Sequence, residues 1–406
     1  MFKKYNQIKK DEIVAVNKVL KSGILTGYQG KWSKEFFGGP KVLEFEAQLK
    51  KFYKSKNAIV FNSWTSGLIA SIGSIDISPG DEIILPSFTF CAVATSVIHW
   101  NAIPIFADVN SKTFTIDPED VKKKISNKTK AIILVDTFGH PAEVNELKKI
   151  AKKNKLILIS DSCHAPYALY KNKLVGNLTD ITGFSFNGNK HISTGEGGVV
   201  LTDNNLFADK MRLIRNHGEA VVKDKRQKNI SNILGQNYRL GEIEAALGIE
   251  QYKKIKKLIN KRIRIYNYLT EKLKKLPGIF TPEIRKNCTH NFYIYPLVIN
   301  KKIIKHKRSK IVKSLEKKGM IGLWSGYFNL HMLPIFQKKI AYGKSNLPWS
   351  LSNKKISYKK GICPISEDLH DKTLIGFKAI NYEISKNDVN KIFKIFKSVW
   401  KDLKIS

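Results

Sequence analysis

Short runs of isoleucine and valine alternate with helix-like segments between residues 57 and 203, and this alternation restricts the chain to few folds. Seven runs have the length of a strand and an almost unbroken apolar character: NAIVF, DEIILP, IPIFADV, AIILVDTFG, LILISD, ITGFSF and GGVVLTD. Strands that are buried on both faces of a parallel sheet have this composition. Segments such as SGLIASIGSI and AEVNELKKIAKKN carry apolar residues at helical spacing. The pattern predicts an α/β fold with a mostly parallel, seven-stranded sheet covered by helices.

The pattern changes after about Gly235 to one long helical segment, IEAALGIEQYKKIKKLINKRIRIYNYLTEKLKKL. We expect this helix to cross from a large domain to a smaller one. Beyond Pro277, NFYIYPLVI and YEI predict short strands, whereas DKTLIGFKAI and NDVNKIFKIFKSVWKDLKI predict amphipathic helices. The expected domains are therefore 1–250, an N-terminal arm with the large domain, and 251–406, the crossing helix with a small C-terminal α+β domain.

The net charge of +37 invites an interpretation as a nucleic-acid-binding protein. The basic residues are scattered through amphipathic segments, however, and form no tract interleaved with exposed aromatic residues. A lysine-rich solvated surface accounts for the charge, and we expect no nucleic-acid partner. The positive field has one expected use, which is to attract a phosphorylated or nucleotide-linked substrate.

Neither targeting nor metal-binding signals stand out. The start, MFKKYNQIKKDEI, lacks the apolar run of a signal peptide, and no stretch approaches the roughly 18 apolar residues of a membrane helix. A cytoplasmic protein without a membrane partner is the expectation. The four cysteines are Cys91, Cys163, Cys288 and Cys363. They lie far apart without a CxxC pair, which predicts reduced, mostly buried thiols and no metal site.

Asp161 and Lys190 are candidates for chemistry because each follows a run that predicts a buried strand. Asp161 ends LILISD, and Lys190 lies in the glycine-rich loop NGNKHISTGEGG after ITGFSF. An open α/β sheet binds its ligand at the carboxyl ends of its strands. A carboxylate there suits a protonated pyridine nitrogen, and a partly buried lysine that loses its proton is a nucleophile. Considered alone, Asp161 is equally well explained as a residue that caps the following turn. Lys190 considered alone is equally well explained as an ordinary solvated lysine.

Hydroxyl and aromatic side chains accompany these two residues. Thr65 and Ser66 open a helix directly after NAIVF, where free N–H groups form an anion site suited to a phosphate. Ser185, five positions before Lys190, is a further candidate for binding a phosphate oxygen. Phe90 follows DEIILP and is a candidate for stacking on a ligand ring, although a helix cap and a core aromatic are the commoner roles for such residues.

Taken together, these motifs resemble the DegT-type (DegT/DnrJ/StrS) sugar aminotransferases, which have the aspartate-aminotransferase-like (fold type I) architecture. The resemblance spans most of the chain, in the order GGPKVLEFE, NSWTSG, PGDEIILPSFTF, DSCHA, SFNGNKHISTGEGG, RNHG, GQNYRLGEIEAALG and CPISEDLHD. The order and spacing of the blocks make it specific, since any single block is weak. The resemblance implies an enzyme that uses pyridoxal 5′-phosphate and works mainly on nucleotide-linked keto sugars.

The resemblance also assigns roles to the candidate residues. It implies that Lys190 binds the cofactor as a Schiff base, that Asp161 pairs with the pyridine nitrogen, and that His164 lies beside the ring hydroxyl. The other implied cofactor-binding positions are three phosphate ligands and one stacking ring, namely Thr65, Ser66, Ser185 and Phe90.

The block GQNYRLGEIEAALG implies a homodimer with shared active sites. Relatives send an asparagine at the position of Asn237 to the phosphate in the neighbouring subunit, although a turn or capping role is the alternative. Two features depart from the family pattern: Trp64 stands where many relatives have Gly or Cys, and DSCHA replaces DAAHA or DAAQA. Trp64 either narrows the pocket or merely packs. His217 matches a loop that closes over substrate, and His331 a segment near the entrance, neither with a firm role.

The implied reaction moves an amino group from glutamate or glutamine to a keto sugar in amino-sugar and polysaccharide biosynthesis, with Lys190 as the base. The motif GNK…TGEGG suggests a perosamine-type sugar as the substrate, but cyclitol-forming and aminobenzoate-forming relatives share much of this motif. One rival is a sugar dehydratase of the same family, in which histidine replaces the lysine. Lys190 argues against that rival, although His191 is adjacent. The sequence identifies neither the sugar, nor its nucleotide, nor the carbon that is aminated.

Overall fold

A computed structural model describes residues 2–405 of the chain, which form fifteen β-strands and twelve α-helices. The strands are β1 (Lys3–Lys4), β2 (Asn57–Phe61), β3 (Glu82–Pro86), β4 (Ile103–Ala107), β5 (Thr129–Val135), β6 (Ile157–Asp161), β7 (Leu169–Tyr170), β8 (Lys173–Leu174), β9 (Ile181–Ser185), β10 (Gly198–Thr202), β11 (Ile279–Phe280), β12 (Tyr295–Ile299), β13 (Leu323–Ser325), β14 (Leu374–Phe377) and β15 (Tyr382–Glu383). The α-helices are α1 (Lys10–Ser22), α2 (Pro40–Tyr53), α3 (Trp64–Ser74), α4 (Ala92–His99), α5 (Pro118–Lys124), α6 (Val144–Lys153), α7 (Asn205–Arg215), α8 (Glu242–Leu273), α9 (Arg308–Lys317), α10 (Pro334–Lys338), α11 (Pro364–Asp368) and α12 (Lys386–Asp402).

The seven predicted strands form one sheet, in the order β2-β10-β9-β6-β5-β3-β4. Five of them, β9, β6, β5, β3 and β4, run parallel, and β10 is antiparallel to both of its neighbours. Almost every residue of these strands is buried, because helices cover both faces of the sheet. The prediction of a mostly parallel, seven-stranded sheet is therefore confirmed.

The predicted long helix is α8, which has 32 residues and packs against α1, α2 and α12. A second, antiparallel sheet follows it in the order β11-β12-β14-β13. The two helices α9 and α12 pack with this sheet around a separate hydrophobic core. The strand predicted from YEI is β15, and it pairs with β1 at the start of the chain.

One secondary-structure prediction is wrong. The segment DKTLIGFKAI, residues 371–380, contains the central strand β14 where an amphipathic helix was predicted. Its apolar residues Leu374, Ile375 and Phe377 are all buried, so they do not define one face of a helix. Gly376 lies between them, and the absence of its side chain makes room for the indole ring of Trp324. The contiguous apolar run therefore becomes a strand that is covered on both faces.

The cysteines are less buried than predicted. Cys163 and Cys363 are buried, whereas Cys91 and Cys288 are partly exposed. Within residues 2–405, no helix combines the length and the apolar character that a membrane span requires.

Candidate active site

The predicted site residues converge at the carboxyl edge of the seven-stranded sheet. Asp161 is the last residue of β6 and pairs with Gly183 on the neighbouring strand β9, which ends at Ser185. Burial and the charge of Asp161 raise the pKa of the Cys163 thiol well above its usual value, and the charge of Lys190 opposes this rise. The ring of His164, three residues after Asp161, stacks on the ring of Tyr293 with centres 3.9 Å apart, and the amine of Lys190 lies 4.7 Å from the centre of the same ring, so the segments after β6 and β9 meet here.

The carboxylate of Asp161 has one free oxygen. Its Oδ1 accepts a hydrogen bond from the backbone N–H of Cys163 at 3.1 Å. Within the described part of the chain, Oδ2 accepts no hydrogen bond and no cationic side chain pairs with this carboxylate, although the residue is only 8% exposed. A buried carboxylate needs compensation of its charge. The free oxygen is therefore suited to a cationic atom of a ligand.

A second acidic residue, Asp136, lies buried near Asp161 and was missed in the sequence. Its Oδ2 accepts a hydrogen bond from Ser162 Oγ at 2.7 Å, and its Oδ1 accepts one from the N–H of Ala142 at 2.8 Å. Burial raises the pKa of Asp136 to about 6, and the negative charge of Asp161 adds to this rise. Its position directly after the run AIILV is the same signal that identified Asp161.

Lys190 is partly exposed, and its amine is not engaged by an acidic side chain. Its Nζ lies 4.7 Å from the centre of the Tyr293 ring, a cation–π distance. Between residues 2 and 405, this amine makes no salt bridge and donates no hydrogen bond. Sequence reasoning missed Tyr293, which precedes β12 and belongs to the run NFYIYPLVI, predicted only as a strand.

His164 is buried beside Lys190 and stays neutral. Burial lowers its pKa well below the usual value, and the charges of Lys190 and His191 add to the effect. Its Nδ1 accepts a hydrogen bond from the N–H of Phe138 at 3.3 Å, so that the ring proton resides on Nε2. His164 is therefore available as a hydrogen-bond donor through Nε2.

The first turn of α3 forms a cradle of hydroxyl and N–H groups. Ser63 Oγ accepts from the N–H of Ser66 at 3.0 Å, and Ser66 Oγ donates to Asn62 Oδ1 at 2.7 Å. The remaining N–H groups of this turn have no partner within the helix. Gly198, which pairs with Ser185, approaches the backbone of Trp64 so closely that a Cβ would clash. Ser185 and the start of α3 are thus held together, as an anion site requires.

Trp64, the main departure from the family pattern, packs in the core. Its side chain is 5% exposed, and its ring lies against Gly183, where any Cβ would overlap it. The structure thus shows the packing role considered for Trp64.

Phe90 and Asn237 both have side chains at the surface. Phe90 is 50% exposed and makes an edge contact with Phe328 at 5.4 Å between ring centres. Asn237 is exposed, and its backbone carbonyl accepts a weak hydrogen bond from Asn62 Nδ2 at 3.4 Å. Asn237 is thus adjacent to the cradle of its own chain, and its role in a neighbouring subunit stays a prediction.

The segment predicted near the entrance includes Phe328, which contacts Phe90, whereas the side chain of His331 itself is fully buried. Its Nδ1 bonds to Ser87 Oγ at 2.6 Å, and its Nε2 bonds to Glu367 Oε1 at 3.0 Å. His331 therefore connects α11 to the end of β3. His217 is partly exposed and has a left-handed backbone conformation (φ 50°).

Residues 6–374 match the model of the DegT/DnrJ/EryC1/StrS aminotransferase family. The chain belongs to this family. Among the relatives of this DegT-family protein is the UDP-4-amino-4,6-dideoxy-N-acetyl-beta-L-altrosamine transaminase of Helicobacter pylori, which is 35% identical over 76% of this chain and 80% of its own. The GDP-perosamine synthase of Caulobacter vibrioides is 32% identical over 69% of this chain and 74% of its own.

The fold of this DegT-family protein is shared with solved structures. PseC of Helicobacter pylori, described as an aminotransferase involved in the biosynthesis of pseudoaminic acid, superposes with a TM-score of 0.80. It is 28% identical, and the alignment covers 99% of both chains. The predicted family and fold type I architecture are confirmed, and the protein is an aminotransferase.

Proposed function

We propose that this DegT-family aminotransferase uses pyridoxal 5′-phosphate to aminate a nucleotide-linked keto sugar. One observation carries the proposal: the free oxygen of the Asp161 carboxylate and the unengaged amine of Lys190 lie at the same edge of the sheet. The names of the two relatives support the substrate class, since one refers to a UDP-linked amino sugar and the other to GDP-perosamine.

The side chains at the site fit this cofactor. Asp161 would hold the protonated pyridine nitrogen, His164 would donate from Nε2 to the ring hydroxyl, and Lys190 would form the covalent link. The phosphate would be held at the start of α3, and the exposed ring of Phe90 offers a stacking face. The proposed phosphate ligands are Thr65, Ser66 and Ser185. When bound, the cofactor supplies an electron sink for the carbanion at the substrate's reacting carbon.

Proton transfer and charge stabilisation would depend on side chains of the protein itself. Lys190 would move the proton, because an uncharged amine is a base and no acidic side chain holds this Nζ. His164 and His191 do not compete for that proton, since burial lowers the pKa of each well below the usual value. The carboxylate of Asp161 would stabilise positive charge at the far end of the ligand ring through a fixed charge in a buried site.

We also propose the amino donor, the oligomeric state, the cellular location and the domain division of the protein. Glutamate or glutamine would be the amino donor, and a homodimer would bring Asn237 of each subunit to the other's phosphate. The protein would act in the cytoplasm. The division into 1–250 and 251–406 would separate the part that binds the cofactor from a smaller C-terminal part.

Product analysis tests this proposal. The protein, loaded with pyridoxal 5′-phosphate, is incubated with glutamate and a panel of UDP- and GDP-linked keto sugars, and product masses are recorded. We expect one sugar to gain an amino group, and Lys190→Ala to abolish this product while the exposed-lysine variant Lys173→Ala retains it. Loss of water without gain of nitrogen would favour the dehydratase rival. A loaded, folded enzyme that aminates no nucleotide sugar would refute the substrate class.

A further inference from the structure

A segment that starts at Phe2 reaches the loop that carries Lys190. We call residues 2–9 the N-terminal strap. Phe2 is buried against the rings of Phe377 and Tyr382, with centres 6.1 and 5.8 Å apart. Strand β1 pairs with β15, and the N–H of Tyr5 donates to the carbonyl of Asn381 at 2.9 Å. The strap therefore begins on the C-terminal part of the chain.

The middle of the strap lies on helix α8. The guanidinium of Arg262 lies 4.7 Å from the centre of the Tyr5 ring. Arg262 is itself buried and donates to the carbonyls of Ala379 and Ile380 at 3.3 and 3.2 Å. The cation–π contact thus holds the strap in place between α8 and the segment before β15.

Gln7 connects the strap to the loop that carries Lys190. Its Nε2 donates a hydrogen bond of 2.7 Å to the backbone carbonyl of Lys190. The backbone carbonyl of Gln7 accepts a hydrogen bond from Gln251 Nε2 at 2.8 Å. The amide group of Gln251 also donates to Glu12 Oε1 at 2.9 Å. Gln251 and Glu12 are buried, at 4% and 0% exposure. Gln7 is therefore fixed by buried groups on α8 and α1.

We infer that Gln7 is a positioning residue, which holds the backbone of Lys190 and thereby directs its amine into the site. The loop between β9 and β10 lies outside the sheet, and Gly188 and Asn189 before Lys190 are exposed, whereas residues 191–194 after it are buried. A lysine on such a loop needs a second support, because a reacting group must be held within a fraction of an ångström of its productive geometry. The inference rests on the proposed function of Lys190.

Three variants test the inference. Gln7→Ala removes the side chain, and Gln7→Glu keeps its size but lacks the amide donor. Lys4→Ala alters an exposed residue of the same strap and serves as the matched control. One hydrogen bond contributes about 1 kcal/mol net, which corresponds to roughly a fivefold change. Without cofactor, we expect amide hydrogen exchange in residues 187–195 to be roughly fivefold faster in both Gln7 variants and unchanged in Lys4→Ala.

Kinetics give the second measurement. We expect kcat to fall roughly five- to tenfold in both Gln7 variants, with KM for the amino donor unchanged, because the change alters the placement of Lys190 and removes no group proposed to bind the donor. Wild-type exchange in the loop, or wild-type kcat, in both folded Gln7 variants would overturn the inference. Turnover by Lys190→Ala would instead refute the proposed function, and the role of Gln7 with it, and is thus a distinct result.

Discussion

The ring of Tyr293 stacks on the ring of His164, with centres 3.9 Å apart and planes inclined by 7°. The amine of Lys190 lies 4.7 Å from the centre of the same tyrosine ring. Tyr293 comes from the segment before β12, whereas the other two residues follow β6 and β9. One aromatic ring thus links the second half of the chain to the side chains proposed for catalysis.

Replacement of Tyr293 tests this contact. We expect Tyr293→Ala to lower the free energy of unfolding by about 2 kcal/mol, because a partly buried ring and its stacking are lost. Tyr293→Phe keeps the ring and should remain within about 0.5 kcal/mol of wild type. Urea denaturation of the protein without cofactor measures both. Equal stability of the alanine and phenylalanine variants would show that the stacking contributes nothing.

The pair Trp64 and Gly183 makes a prediction about packing. We expect Gly183→Ala to destabilise the protein by about 2 kcal/mol or more, because the added Cβ overlaps the Trp64 ring. In the double variant Trp64→Ala with Gly183→Ala, the second change should cost much less than it does alone. A thermodynamic cycle of urea unfolding measures the difference. Strictly additive effects would contradict the proposed contact.

The sequence predicted the seven-stranded sheet and the positions of Asp161 and Lys190 because these depend on local pattern. Each buried strand is one apolar run, and a polar residue after such a run has to lie at the edge of the sheet. The strand around Gly376 is wrongly predicted as a helix, because a short apolar run with flanking lysines fits the periodicity of a helix as well as that of a strand. Gln7 and Tyr293 reach the site from distant parts of the chain, and no local pattern marks such contacts. The burial of His331 is likewise set by partners remote in sequence.

The buried histidines predict acid sensitivity. Burial lowers the pKa of all five, to about 3 for His290, below the usual value for His331, and well below it for His140, His164 and His191. Since the unfolded chain binds protons near the ordinary value of 6.5, stability is complete above pH 6.5 and falls as the pH drops towards 3. Asp136 acts oppositely: its pKa is raised to about 6, so its contribution is lost as the pH rises from 3.8 through 6.

The histidines should dominate the pH dependence of stability, because five of them oppose the single carboxyl of Asp136. We expect the free energy of unfolding without cofactor to fall between pH 6.5 and pH 5, by up to about 1.4 kcal/mol per pH unit for each histidine. His290→Gln should make this slope shallower. Guanidinium unfolding at a series of pH values measures it. A stability that is flat or rises towards pH 5 would contradict the neutral, buried state of these rings.

The ion pair between Arg215 and Glu46 is buried, with Nη1 and Oε1 2.7 Å apart and exposures of 0% and 7%. Glu46→Gln would leave the guanidinium uncompensated, and we expect it to cost about 3–5 kcal/mol. The exposed pair Lys122 and Glu119 offers a control, since Glu119→Gln should leave the unfolding midpoint unchanged. Thermal unfolding compares the two variants. A small effect of Glu46→Gln would mean that water reaches Arg215.

The most direct test of the proposed function is to find which residue binds the cofactor covalently. The protein is loaded with pyridoxal 5′-phosphate, reduced with borohydride, digested and examined by mass spectrometry. We expect a single modified peptide with the label on Lys190, and we expect Asp161→Asn to bind the cofactor more weakly at the same lysine. Stoichiometric label on any other lysine, or none after reduction, would contradict the proposed site.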